Sequence, residues 1–450
     1  MNKLKEDGPD CLRSALIDET LRWARDRSSY YAQAFSHLEF SQPWSLQSLS
    51  AIPILTREQV SAAGESMLCS GLHVSHLQNT SGSSGEPLLL YRSIQETQFI
   101  REFFSEVNES TEGDLPLVLY LSDSHHGTVT PIPATVFALA GGVTDQIILD
   151  QTVRLLQKSF HLPGLGERVI ALSGSYSQLL TLTNYCIERG LDSNTFAIRY
   201  LHGTGQYLTP RWRQVLEQFW NAQVVDHYSL SEVFGSAVRC RNCNAFHFDP
   251  FVIPEIVRID QRTSINRGVG MLLLTTLYPF VQMQPLIRYW TGDVFERMDG
   301  PCPISSFYFK GRLNHCLFDP SDASRLLIAG TDLFASVDRY PEVRRPANFL
   351  DIPFILYREA TGRPILSASY AFDGPLLRLQ IQLEFPFKPR LYQDRIREIL
   401  DSIRSTLIER SKVLAEAISL GHVVLDLIAA SPGSLRPVDK NSNLWQRAEG

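Results

Sequence analysis

The chain has 450 residues, 44% hydrophobic and 20% charged, with a formal net charge of −6 and a pI near 6.0. That length suits two or three domains with ordinary cores, and the acidic balance argues against a general nucleic-acid binder, which is basic. No apolar run approaches the roughly 18–20 residues of a membrane span, no signal-peptide core follows the first lysines, and seven cysteines in so large a chain do not read as a disulfide framework. A reducing cytoplasm, with neither membrane nor nucleic acid as partner, is the expectation.

Residues 1–75 read as helices that end in a Pro-containing connection, Ile52-Pro53-Ile54-Leu55. Next comes Asn79-Thr80-Ser81-Gly82-Ser83-Ser84-Gly85-Glu86-Pro87, ahead of an apolar run at 88–91. Its glycines let the backbone turn N–H groups toward an anion, and its hydroxyls suit phosphate oxygens. The plainer reading is a Gly/Ser surface turn. A Walker A loop is excluded, because that loop has four residues between its glycines and then Gly-Lys-Ser/Thr.

Short apolar runs at 117–121 and 168–172 suit buried strands. Leu179, Leu180, Cys186 and Ile187 recur at helical spacing before Gly190, a C-terminal cap. Thr209 as N-cap, Pro210 in the first turn and a Trp212, Val215, Leu216, Phe219 face predict another helix. A strand at 223–226 follows directly, and 271–276 is a further strand. This alternation predicts an α/β domain with substantially parallel sheets. After about Arg312 the pattern changes. Leu377, Leu379, Ile381, Leu383 and Phe385 alternate with polar residues, and Ile396, Ile399, Leu400, Ile403 and Leu407 stripe a long helix. We therefore expect a large domain over 1–312 and a smaller, mobile α+β domain over 313–450.

Three later segments carry chemistry. Asp226-His227-Tyr228-Ser229-Leu230-Ser231-Glu232 follows a strand at the end where α/β sheets place ligands. Its ring can stack on a base and its carboxylate can hold Mg2+. Arg288-Tyr289-Trp290-Thr291-Gly292-Asp293 ends in a turn whose carboxylate can accept both ribose hydroxyls. In Phe309-Lys310-Gly311-Arg312 a guanidinium can reach ribose or phosphate, and Gly311 permits a hinge. Seen singly, each is also an ordinary turn.

Together, Thr-Ser-Gly-Ser-Ser-Gly-x-Pro, Tyr-x-Leu-Ser-Glu, Arg-Tyr-x-Thr-Gly-Asp and Gly-Arg, in that order, resemble the adenylate-forming superfamily, most closely its phenylacetate–CoA ligase branch. The ending Pro432-Gly433-Ser434-Leu435-Arg436-Pro437-Val438-Asp439-Lys440 resembles that branch's C-terminal lysine segment. The resemblance implies that Thr80, Ser81, Gly82, Ser83, Ser84 and Gly85 grip ATP phosphates and that Tyr228, with Ser229 beside it, lies against adenine. It also implies that Glu232 binds Mg2+, Asp293 and Arg312 hold the ribose, and Lys440 neutralises charge in catalysis. The implied activity activates a small, plausibly aromatic carboxylic acid with ATP. The acyl group then passes to CoA, a carrier-protein thiol or an amine.

Departures from the pattern are Glu86 before the loop proline, Ser229 for glycine, Trp290 for arginine, Leu313-Asn314-His315 after Gly-Arg, and Asp439 before Lys440. They keep a second reading open, a nucleotide-binding homologue with a binding or regulatory role that lacks the second half-reaction. A homodimer also stays open.

Cys240-x2-Cys243-x3-His247, with Cys302 farther on, has ligand types and spacing suited to structural Zn2+, or these are free thiols. His125 and His126, after the strand at 117–121, are candidates to bind the acid, with His126 also a candidate base. His202 and Gly203, in His202-Gly203-Thr204-Gly205-Gln206, are candidates for the pocket wall.

Overall fold

The computed structural model of the protein describes residues 8–79, 88–108, 113–121, 136–345, 364–438 and 443–448. A 12-stranded mixed sheet forms its backbone. At one end five strands run parallel, in the order Phe137–Gly141, Leu115–Leu121, Leu165–Ser175, Tyr200–Thr204 and Gln223–Tyr228. The other seven pair antiparallel, starting with Ala237–Arg239 beside Gln223–Tyr228. Parallel strands covered on both faces read as continuous apolar runs, and Leu117, Leu119, Val169 and Leu172 are fully buried. Helices Gln146–Gln157, Tyr176–Glu188 and Pro210–Trp220 complete that core.

Local signals behave largely as their chemistry demands. Ser175 and Gln178 form a capping box on Tyr176–Glu188, and Gly190 follows its end at a φ of 63°, a conformation glycine adopts without Cβ strain. Ile187, expected on the apolar face, is instead 49% exposed, because the helix ends one residue later and turns that side outward. Pro210 does open its helix, but Thr209 gives it no side-chain cap. The Thr209 hydroxyl donates to the Asp338 carboxylate, a charge-assisted hydrogen bond.

The N-terminal helices Pro9–Arg27, Ser29–Ala34 and Arg57–Ala63 pack on the antiparallel half of the sheet. The connection at 52–55 is stitched to it: Leu55 N–H donates to Arg288 O at 3.0 Å, and Trp290 N–H donates to Leu55 O at 2.8 Å. A Thr56/Gln59 capping box then starts Arg57–Ala63, which fixes where Arg57 points.

Residues between Leu317 and Trp445 enclose a second core. Its four-stranded sheet has the order Val423–Ala430, Leu376–Glu384, Leu366–Asp373, Trp445–Arg447. Leu379, Ile381, Leu383 and Phe385 are fully buried, and Ile396, Ile399, Ile403 and Leu407 of helix Gln393–Arg410 pack on them. Gly311, at a φ of 123°, lies within strand Ser306–Arg312, and a Cβ there would come 3.2 Å from Gly330 Cα. Its lack of a side chain lets helix Gly330–Val337 approach.

Candidate active site

A cleft open to solvent lies at the carboxyl ends of strands Tyr200–Thr204 and Gln223–Tyr228, where α/β sheets bind ligands. Tyr228, Asp293 and Arg312 line it together, although 65 and 84 residues separate Tyr228 from the other two. The Tyr228 hydroxyl donates to Asp293 Oδ2 at 2.8 Å, and Arg312 Nε lies 3.3 Å from Asp293 Oδ1. Asp293 is 3% exposed, so both polar neighbours serve to keep a buried carboxylate solvated by protein. Burial, and then the Asp293 charge, push the Tyr228 phenol well above its ordinary pKa; the ring stays a neutral donor. The Asp293 charge raises Arg312 in turn. Edges and faces of Phe246, Phe248, Phe295 and Phe309 hold the Tyr228 ring in place.

Glu232 sits nearby with its side chain 12% exposed. Its Oε1 accepts from Arg57 Nη1 at 3.4 Å and from the Tyr289 hydroxyl at 3.3 Å. Arg57 was not a candidate from sequence, because 175 residues separate it from its partner. Ser229 and Thr204 share a hydroxyl hydrogen bond of 2.7 Å across the two strand ends.

The strand that delivers Tyr228 is anchored by Asp226. Its carboxylate meets Arg213 Nη2 at 3.2 Å and Arg239 Nη1 at 3.2 Å, and it accepts a hydrogen bond from the Tyr176 hydroxyl. The Tyr176 ring lies flat against Gly203, where an added Cβ would sit 2.0 Å from the ring. Gly203 is therefore a packing requirement of this anchor.

His202 Nδ1 lies 3.0 Å from His227 Nε2, and His227 lines the cleft. Burial, reinforced by His227, lowers His202 to about 4, and burial lowers His227 as well. Both rings are neutral near pH 7, and one donates to the other. A solvated histidine titrates near about 6.5, so unfolding takes up a proton between pH 6.5 and 4. The pair's contribution to stability is present above pH 6.5 and is lost as pH falls toward 4. Melting temperature should therefore drop more steeply from pH 7 to 4.5 in the wild type than in His202→Asn, and parallel melting curves would contradict this.

The hairpin Ala237–Arg239/Phe246–Phe248 carries the cysteine segment, closed by Asn244 at a φ of 58°. Cys240, Cys243, His247 and Cys302 place one ligand atom each within 4.8 Å of one another. Cys240 and Cys302 sulfurs are 3.7 Å apart, close to the edge of about 3.8 Å that a tetrahedron with Zn–S bonds near 2.3 Å requires. His247 Nδ1 donates to Ser305 O at 3.0 Å, which leaves the Nε2 lone pair facing Cys243 at 3.2 Å. That is how ligating histidines are oriented. Backbone N–H groups of Cys243 and Asn242 lower Cys240 to about 6.

The phosphate-loop candidates Thr80, Ser81, Gly82, Ser83, Ser84 and Gly85 lie outside the described residues, as do His125, His126 and Lys440. Strands Val74–Asn79 and Leu89–Ser93 flank the first group and pair antiparallel up to Asn79↔Leu89. Trp290, one departure from the family pattern, packs away from the cleft with Ile259 and Leu313, under the Arg262 guanidinium.

No established protein-family profile matches the chain. A segment of 176 residues, 38% of the chain, is 28% identical to the phenylacetate–coenzyme A ligase of Thermus thermophilus and spans 36% of that enzyme's length. An open conformation of 2-hydroxyisobutyryl-CoA ligase, solved with 2-HIB-AMP and CoA, superposes with a TM-score of 0.66 at 13% identity, covering 95% of this chain and 89% of that one. The GH3.15 acyl acid amido synthetase superposes at 0.53 with 14% identity, covering 96% and 88%. The chain has the fold of these ligases, and over 38% of its length its sequence is similar to a phenylacetate–coenzyme A ligase.

Proposed function

We propose that the protein is an ATP-dependent carboxylate ligase that makes an acyl-adenylate in the Tyr228–Asp293–Arg312 cleft and passes the acyl group to the thiol of coenzyme A. The observation that carries this reading is the convergence of a neutral tyrosine, a buried carboxylate and a guanidinium at the parallel-strand ends. The fold and the matched ligase segment support it.

In the first step a carboxylate oxygen of the acid attacks the α-phosphorus of ATP and pyrophosphate leaves. In the second the thiolate attacks the acyl carbon and AMP leaves. Asp293 is suited to accept the ribose hydroxyls, with Arg312 holding its orientation, and the Tyr228 ring makes one wall for the base. Residues 80–85 are assigned to the phosphates and Lys440 to the charge that develops on the α-phosphate. Glu232 offers a hard oxygen of the kind magnesium takes beside substrate phosphates. When bound, magnesium neutralises phosphate charge. Arg57 supplies positive charge on the Glu232 side.

Cys240, Cys243, His247 and Cys302 fit a structural zinc ion, and a reducing cytoplasm is the setting in which their thiols persist. Metal analysis of purified protein should find about one zinc per chain, with all four protein ligands used as in structural sites. Cys243→Ser should lose it. A metal-free, fully stable wild type would contradict the assignment.

Isotope exchange between pyrophosphate and ATP, run across a panel of aromatic and short aliphatic acids, tests the activity. Exchange that depends on one class of acid is the expected result. ATP binding without exchange by any acid would favour the binding or regulatory homologue.

A further inference from the structure

The parallel strands are apolar toward their helices and polar on the other face at the carboxyl end. Along Tyr200–Thr204, Leu201 is fully buried in the helix-side core and Gly203 lies against the Tyr176 ring. Alternation therefore puts Tyr200, His202 and Thr204 on the opposite face. Along Gln223–Tyr228, Val224 and Asp226 take the helix side, which leaves His227 beside His202. The register sets Ser173 next to His202 and Tyr120 next to Ser173 on that same face. Tyr120, Ser173, His202 and His227 are each half-buried, a polar row where a covered parallel sheet is ordinarily apolar.

The contact of 3.0 Å between His202 Nδ1 and His227 Nε2 uses one N–H and one lone pair. Because both rings are neutral near pH 7, their outer nitrogens carry one N–H and one lone pair between them, whichever ring donates. Neither outer nitrogen has a hydrogen-bond partner among the described residues. Nearby charges are spent on one another, Arg213 and Arg239 on Asp226 and Arg312 on Asp293, so the group the histidines suit is neutral. Tyr228 leaves the same strand toward Asp293, while His227 and Ser229 also line the cleft. An acyl-adenylate joins acid and nucleotide through one phosphate, so their sites must adjoin. Consecutive residues of one strand end meet that demand, Tyr228 for the base and His227 for the acid.

We propose that the acid carries a neutral hydroxyl group and that His227, backed by His202, is the specificity-determining residue that binds it. This rests on the ligase reading above. A hydroxyl both donates and accepts, so it pairs with the outer nitrogen of His227 in either tautomer. A hydrocarbon at that place leaves a half-buried nitrogen without a partner.

The test uses the full chain and acids matched with and without one hydroxyl, 4-hydroxyphenylacetate against phenylacetate and 2-hydroxyisobutyrate against isobutyrate, in acid-dependent pyrophosphate exchange. For the pair the enzyme uses better, kcat/KM of the hydroxylated acid should exceed that of the plain one by about 30-fold, the effect of leaving a buried polar group unpaired. His227→Leu should abolish the preference. Equal rates within each pair, faster plain acids, or a preference that survives His227→Leu would overturn the proposal. A merely structural role would slow both members alike and leave their ratio. Should His227→Leu fold poorly, His202→Leu breaks the pair from its other end and carries the same comparison. No exchange with any acid would count against the ligase reading, and calorimetry on AMP-saturated protein then decides the pocket. Tighter binding of the hydroxylated acid supports it, and equal or absent binding overturns it.

Discussion

Lys440→Ala should lower acid-dependent adenylation by about 10²–10³-fold, the usual loss when one preorganised charge donor is removed, and leave ATP affinity nearly unchanged. On the proposed reading the ground state is held by groups elsewhere, Asp293 with Arg312 at the ribose and residues 80–85 at the phosphates. Lysine carries a compact point charge on a flexible stem, which suits it to meet charge that appears only as the carboxylate attacks. Single-turnover formation of AMP, set beside calorimetric ATP binding, separates the two effects. An unchanged rate would remove Lys440 from the chemistry, whereas a matching loss of affinity would make it a ground-state ligand.

The largest effect on stability is expected at Asp226. Its side chain is 7% exposed and lies within 3.2 Å of two guanidinium groups, and it accepts the Tyr176 hydroxyl as well. Asp226→Ala leaves Arg213 and Arg239 facing each other with no anion between them. Breaking a buried pair in this way costs about 3–5 kcal/mol. Chemical denaturation measures the loss, and a change below about 1 kcal/mol, as for surface pairs, would contradict the anchor role. Asp226 closes the strand that presents Tyr228, so folded Asp226→Asn should also bind nucleotide more weakly than the wild type.

What the sequence revealed depended on how local the physics is. Tyr228 was legible because it ends a plain apolar strand, whereas Asp293 and Arg312 were read as turn and hinge residues and were joined to it only by the family resemblance. The structure sets them opposite each other on strands Tyr289–Met298 and Ser306–Arg312. The helix signals at Gly190 and Pro210 were legible because capping and first-turn chemistry is local. Thr209 takes the N-cap position as expected but makes no side-chain cap bond, and its hydroxyl donates to Asp338, a partner no local pattern could show. Arg57 and the His202–His227 pair depended likewise on strand order, which no local pattern encodes. Trp290 looked like a change in the site, and the structure turns it into a packing residue.

The central claim is that a carboxylate oxygen of the acid becomes bonded to the α-phosphorus of ATP. Supplying the enzyme with an acid labelled at both carboxylate oxygens with oxygen-18, together with ATP and CoA, tests this directly by mass spectrometry of the nucleotide. The account predicts one labelled oxygen in the AMP produced, since thioester formation breaks the acyl C–O bond and leaves that oxygen on phosphorus. AMP without label, or label found in inorganic phosphate beside ADP, would contradict it.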